Sequence, residues 1–131
     1  MAMTQLKSFA ITGCLLGTAA GDALGLALEG LSRRRQAKMF PVLDSHKLLP
    51  GGRGMTSDDT EHTCMLAQSL IVTGHGDLAA LEKKFAANFA WRLRFWLLGL
   101  PAGIGMATLR AIIKLWLGFP ATKSGVFSAG N

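Results

Sequence analysis

The chemically richest stretch of this chain is Ser57-Asp58-Asp59-Thr60-Glu61. Carboxylates and hydroxyls are hard oxygen donors, suited to Mg²⁺, Mn²⁺ or Ca²⁺ rather than to softer metals. Gly51-Gly52-Arg53-Gly54 precedes them. A loop of small residues lets the helix start that follows come close to a ligand. A plainer account stands beside this one: acids in a first helical turn also complement the positive end of the helix dipole. A second pair of acids, Asp22 and Glu29, lies in a segment with no other charge from Phe9 onward. Seven residues apart on a helix, they differ by about 20° in azimuth and face the same way. The alternative is a solvated acid at a helix end plus one satisfied polar group in a core.

Other chemistries lack their signatures. His46, His62 and His75 are scattered, without zinc-ligand spacing among themselves or with Cys14 and Cys64. No Gly-x-Ser-x-Gly elbow and no phosphate-binding P-loop appear.

These residues need elements to hold them. Leu6 to about Glu29 reads as one helix carrying Gly13, Gly17, Gly21 and Gly25 at every fourth position. Each Gly costs about 1 kcal/mol of helix stability against Ala. The usual compensation is close approach of another backbone or a ligand, so the acidic helix is expected to pack there, with Glu29 on the same wall as Asp58 and Asp59. Leu31 to Met39 is a basic connector or helix end, and Pro41 to Met55 a loop with turn signals at Pro50-Gly51-Gly52. A helix begins near Thr56 or Ser57, with Thr56 and Asp59 spaced like a capping box. Its apolar stripe is Thr63, Leu66, Ala67, Leu70 and Ile71, and Gly74 ends it. Asp77 can cap the next helix, whose Phe/Trp stripe (Phe85, Phe89, Trp96) reads as core and which runs to Pro101. A last helix carries Leu109, Ile112, Ile113, Trp116 and Leu117 and stops at Gly118 and Pro120; the residues from Ser124 form a loop. No alternating strand pattern and no internal repeat emerge, so the expected class is all-α, a single domain over residues 1–131.

Composition agrees. The chain has 131 residues, 50% hydrophobic and 17% charged, which excludes a disordered segment. Two Cys cannot staple a chain of this length, and Cys14 and Cys64 read as reduced, buried thiols of a cytoplasmic protein. The formal charge is +6, concentrated in Arg33-Arg34-Arg35 with Lys38 and in Lys83, Lys84, Arg92 and Arg94. No aromatic-interleaved basic stripe accompanies these runs, so they read as solvated faces and not as a nucleic-acid site. Mean hydropathy is +0.32. Phe9–Leu28 has the length to span a membrane, yet Asp22 sits inside it, at a cost of roughly 2.5–3.5 kcal/mol on insertion scales. Lys7 followed by an apolar run and Thr18-Ala19-Ala20 is also signal-like, but the helical pattern continues past those small residues. Phe9–Leu28 and a second long apolar stretch, Phe95–Phe119, which contains Arg110 and Lys114, therefore read as buried helices of a soluble fold, with no membrane as partner.

Gly13-Cys-Leu-Leu-Gly-Thr-Ala-Ala-Gly-Asp-Ala-Leu-Gly-Leu-Ala-Leu-Glu29 resembles the opening helix of the ADP-ribosylglycohydrolase family. Gly52-Arg-Gly-Met-Thr-Ser-Asp-Asp-Thr60 is similar to that family's first metal motif, usually Thr-Asp-Asp-Thr. Ser124-Gly-Val-Phe-Ser-Ala-Gly-Asn131 resembles the start of its Gly-Asn-Gly substrate loop. The three occur in the family's order and span most of the chain. The resemblance implies an all-helical fold with a binuclear Mg²⁺ or Mn²⁺ centre that cleaves the bond between ADP-ribose and an acceptor. It implies Ser57, Asp58 and Asp59 as metal ligands, with Ser57 where Thr is usual. Glu29 would border the metals and, with Asp58 and Asp59, supply the catalytic carboxylates. Ser128, Gly130 and Asn131 would hold the substrate's diphosphate and ribose. Asp22, from the family's Gly-Asp pair, would have a supporting role. The implied substrate is an ADP-ribosylated protein or small molecule.

The family's second acidic motif, Asp-x-Asp-[Ser/Thr], is not among these 131 residues. The expectation is therefore an incomplete, N-terminal part of the fold. It would need a complementary C-terminal chain or a second copy of itself to cover its apolar faces. Against the hydrolase stands a non-catalytic remnant that binds a divalent cation or ADP-ribose weakly.

Overall fold

The computed structural model describes residues 2–101 and 104–128. All regular structure among them is helical, as the sequence predicts; the one β-like feature is an isolated bridge between Leu49 and Arg53. The chain forms two compact units, residues 1–63 and 64–131.

The first unit opens with α1, Ala2–Gly25, which tightens into a 3-10 turn at Leu26–Leu28. Bonds from Glu29 N to Leu26 O and from Leu31 N to Leu28 O close that turn. Glu29 itself is extended (φ −60°, ψ 138°). The expected single helix thus ends four residues early, and Glu29 leaves it on a non-helical backbone. A short basic helix, α2 (Arg33–Met39), follows. Arg33, Arg34, Arg35 and Lys38 are exposed, while Gln36 turns inward and donates to Leu28 O (3.1 Å) and Leu31 O (3.0 Å). One amide thereby ties α2 to the end of α1.

The loop after α2 doubles back at Gly51 and Gly52, both at positive φ (76° and 69°), where a side chain would be strained. Gly54 serves a different need. A Cβ there would lie 2.8 Å from His46 Nδ1 and 3.0 Å from the Cβ of Ala23, so only Gly lets the loop lie against α1. The glycine row of α1 does not behave as expected: a Cβ at Gly13, Gly17, Gly21 or Gly25 would meet nothing within 4 Å. Nor is α1 a buried helix. Ala23 is buried, whereas Leu6, Phe9, Ile11 and Leu16 are 61–70% exposed. The other helical pieces of this unit are too short to cover a 24-residue helix. Cys14 and Cys64 are free thiols, as expected, but exposed.

Helix α3 (Asp58–Thr73) begins in the first unit and continues into the second, where α4 (Leu78–Leu98), α5 (Met106–Trp116) and α6 (Ala121–Ser124) follow. Gly74, at φ 73°, ends α3, and Asp77 caps α4 by accepting from Ala80 N at 3.2 Å. The core of this unit lies where α5 meets α4: Ile112 is 0% exposed, Leu115 2% and Ala90 5%. Full burial of such aliphatic side chains contributes about 1.5–3 kcal/mol each. Arg94 of α4 donates to Leu115 O from Nε (3.1 Å) and Nη2 (2.6 Å), adding to the bond this carbonyl accepts from Gly118 N (3.1 Å) at the end of α5. Phe85, Phe89 and Trp96 are half-buried flanks of this core rather than its centre.

On α3 the buried residues are Ser69 and Thr73, while Leu66, Leu70 and Ile71 of the expected apolar stripe are exposed. Ser69 Oγ donates to Met65 O and Thr73 Oγ1 to Ser69 O, both at 2.7 Å. Hydroxyls satisfied by their own helix can be buried at little cost, and their small size suits a tight face.

Candidate active site

An open cleft of about 550 Å³ lies in the first unit, at the end of α1. Thr18, Gly21, Asp22 and Gly25 of α1, Leu26, Leu28 and Glu29 of the following turn, Gln36 of α2, and Ser57 and Asp59 line it. The bare backbone at Gly21 and Gly25 makes part of its wall, so the glycine row opens space for a ligand there rather than for a packed helix.

Asp22 organises this cleft. Its Oδ1 accepts from Ser57 Oγ at 2.7 Å. Its Oδ2 accepts from Ser57 N at 2.8 Å, from Thr60 N at 3.2 Å and from the Thr60 hydroxyl. One carboxylate thus takes four donors from residues 35 and 38 positions away. Two of them are backbone N–H groups that open α3, which have no partner within the helix. Asp22 is therefore the cap of α3, delivered from another helix. Its negative charge suits the positive end of the α3 dipole. Ser57 Oγ makes the local capping contact, accepting from Asp59 N at 3.4 Å; the hydroxyl involved is Ser57's and not that of Thr56. Burial pushes the Asp22 carboxyl upward, but the hydrogen bonds from Thr60 and Ser57 outweigh it and hold the group below its ordinary 3.8.

The residues singled out in the sequence fall into three groups. Glu29, Ser57 and Asp59 share the cleft. Asp58, half-buried on the first turn of α3, is not among its lining residues. Ser128 lies exposed in the second unit, while Gly130 and Asn131 lie outside the described residues. Thr18 and Gln36 are additions from the structure, as is the part Thr60 of the acidic turn plays as a donor to Asp22. A signal for Thr60 existed: an acid in an uncharged helix needs donors, and hydroxyls three apart on a first turn share a face. Gln36 is the uncharged polar residue of a basic helix, which marks its inward face.

The donor chemistry fits a hard divalent cation, with carboxylates from Asp59 and Glu29 and a hydroxyl from Ser57 facing one space. Among the described residues no group of three or more His, Cys, Asp or Glu side chains is placed to hold a metal ion. Such a cation would keep waters in its remaining positions, as Mg²⁺ commonly does.

Asp22 of α1 thus meets the Ser57–Thr60 turn, and Glu29, beyond the end of α1, lines the same cleft as Ser57 and Asp59. The family model for ADP-ribosylglycohydrolase matches residues 4–131. The chain belongs to the ADP-ribosylglycohydrolase family. It is 31% identical over 125 residues to the ADP-ribosyl-[dinitrogen reductase] glycohydrolase of Rhodospirillum rubrum, covering 91% of this chain and 38% of that protein. An uncharacterized protein of Archaeoglobus fulgidus is 36% identical over 119 residues, covering 88% of this chain and 36% of that protein. The chain thus spans little more than a third of the length of these relatives. No solved structure matches it.

Proposed function

We propose that this chain supplies the first half of a metal-dependent site that hydrolyses the glycosidic bond between ADP-ribose and an acceptor. The observation that carries the reading is the convergence of Glu29, Ser57 and Asp59 on one cleft, with Asp22 fixing the turn that bears two of them. Ser57, Asp58 and Asp59 are the proposed ligands of Mg²⁺ or Mn²⁺, in a binuclear centre once the complementary half is present. Bound there, a divalent cation supplies the charge that orients ribose hydroxyls and a water.

The chain's own residues do the rest. The bond from the anomeric carbon to the acceptor breaks with positive charge developing at that carbon, as in glycoside hydrolysis. Glu29 and Asp59, facing the cleft, place negative charge beside it. One of the carboxylates among Glu29, Asp58 and Asp59 takes the proton of the attacking water. The water oxygen ends on ADP-ribose, and the acceptor departs with a proton.

By analogy with the Rhodospirillum rubrum relative, the substrate is an ADP-ribosylated protein, with small ADP-ribosyl compounds as an alternative. The exposed apolar face of α1 suits a complementary chain or a second copy. The scarcity of clustered acids also favours a second reading, in which this chain alone binds a cation or ADP-ribose without turnover. Calorimetric titration with Mn²⁺, with and without ADP-ribose, tests the proposal. Binding of Mn²⁺ that tightens when ADP-ribose is present supports it; no binding of either contradicts it.

A further inference from the structure

We infer that Asp22 is a positioning residue that orients the Ser57 hydroxyl, so that Ser57 offers the cleft electron pairs and not a proton. The inference rests on the cation reading above and deepens it.

An ionised carboxylate only accepts hydrogen bonds, so the proton between Ser57 Oγ and Asp22 Oδ1 belongs to Ser57. A hydroxyl has one proton and two electron pairs. With the proton committed to Asp22 and one pair weakly engaged by Asp59 N at 3.4 Å, the other pair is left for the cleft that Ser57 lines. That is the polarity a cation requires. Asp22 lines the same cleft but is poorly placed to be a ligand itself. Three donors converge on its Oδ2 and one on its Oδ1. It acts through Ser57, and its own contacts are to protein.

An amide at position 22 would reverse the polarity. The Nδ2 group of Asp22→Asn can only donate, so beside Ser57 it would take up an electron pair of the hydroxyl and turn the proton outward. Thr60→Val is the control: it removes one donor to Asp22 and leaves Ser57 untouched. The experiment measures Mn²⁺ affinity by paramagnetic resonance of the free ion for the wild-type chain, D22N, S57A, D22N/S57A and T60V, with circular dichroism confirming helix content. D22N should weaken Mn²⁺ binding by about tenfold or more, the range seen for groups that orient metal ligands. In the S57A background the same change should add less than about threefold, and T60V should stay within about threefold of wild type. Equal losses from D22N in both backgrounds, or a T60V loss as large as that of D22N, would overturn the inference while leaving the cation reading intact. Failure of the wild-type chain to bind Mn²⁺ would sink both. Should D22N not fold, the Asp22 carboxyl carbon of the folded chain still reports. Its resonance should shift between H₂O and D₂O through the Ser57 hydroxyl, and the shift should shrink in S57A. An undiminished shift would overturn the proposed direction of the bond.

Discussion

The corner around Asp22 and the contact between α4 and α5 are held by different physics. The Asp22 corner has one buried apolar side chain nearby, Ala23, and four directional bonds to a single carboxylate. The α4–α5 contact buries Ile112, Leu115 and Ala90 and uses its polar bonds, from Arg94, to close a helix end. Apolar burial is non-directional and tolerates small shifts. A hydrogen-bonded carboxylate fixes atoms in place but depends on charge and geometry. The region proposed to do chemistry is therefore the one built for position, and the other is built for cohesion.

The largest effect expected from this contrast is at Ile112. Truncation to Ala should destabilise the second unit by about 2–5 kcal/mol, the range for a sealed aliphatic side chain. Chemical denaturation of I112A, followed by the tryptophans of α4 and α5, checks this. The hydrogen-exchange protection of Ser57 N–H should be unchanged while the second unit remains folded.

Gly54→Ala should cost less, about 1–3 kcal/mol, because a Cβ must displace the His46 ring or Ala23. The loss should fall on the loop and on the start of α3, read as faster amide exchange at Ser57 and Thr60. If G54A leaves those amides as protected as before, the loop does not hold that corner.

The smallest effect concerns acid. The folded Asp22 carboxyl titrates below its ordinary 3.8, so the stability it lends is complete above that value and is lost as pH falls through the lower, folded value. Protection of Ser57 and Thr60 N–H should therefore fall below pH 3.8, with little change around Ile112. In D22N that pH dependence should vanish. Equal acid sensitivity of both regions in the wild-type chain would erase the distinction drawn between them.

What the sequence could reveal of this contrast followed from how local each feature is. The helix Leu78–Leu98 carries its own Asp77 cap, Met106–Trp116 carries its own spacing and its stop at Gly118, and the Ser57-Asp58-Asp59-Thr60 turn is a contiguous motif. The spacing of Asp22 and Glu29 put both acids on one side, and both line the cleft, but the non-helical backbone of Glu29 was not legible, because the 3-10 tightening at Leu26–Leu28 has no strong local marker. The four bonds to Asp22 join residues 35 and 38 apart, which periodicity cannot pair. The burial of Ser69 and Thr73 in place of Leu66 and Leu70 reversed an apolar-stripe reading, since hydroxyls bonded to their own helix are not polar to their surroundings.

The turn at the start of α3 is proposed to hold a hard divalent cation through carboxylate oxygen. The most direct test is the Mn²⁺ affinity of Asp58→Asn/Asp59→Asn, in which carboxylate charge is removed with little change in shape. A loss of at least about tenfold against the wild-type chain is expected, at unchanged helix content. Equal Mn²⁺ affinity in the double variant would contradict it and leave those acids as no more than complements to the helix dipole.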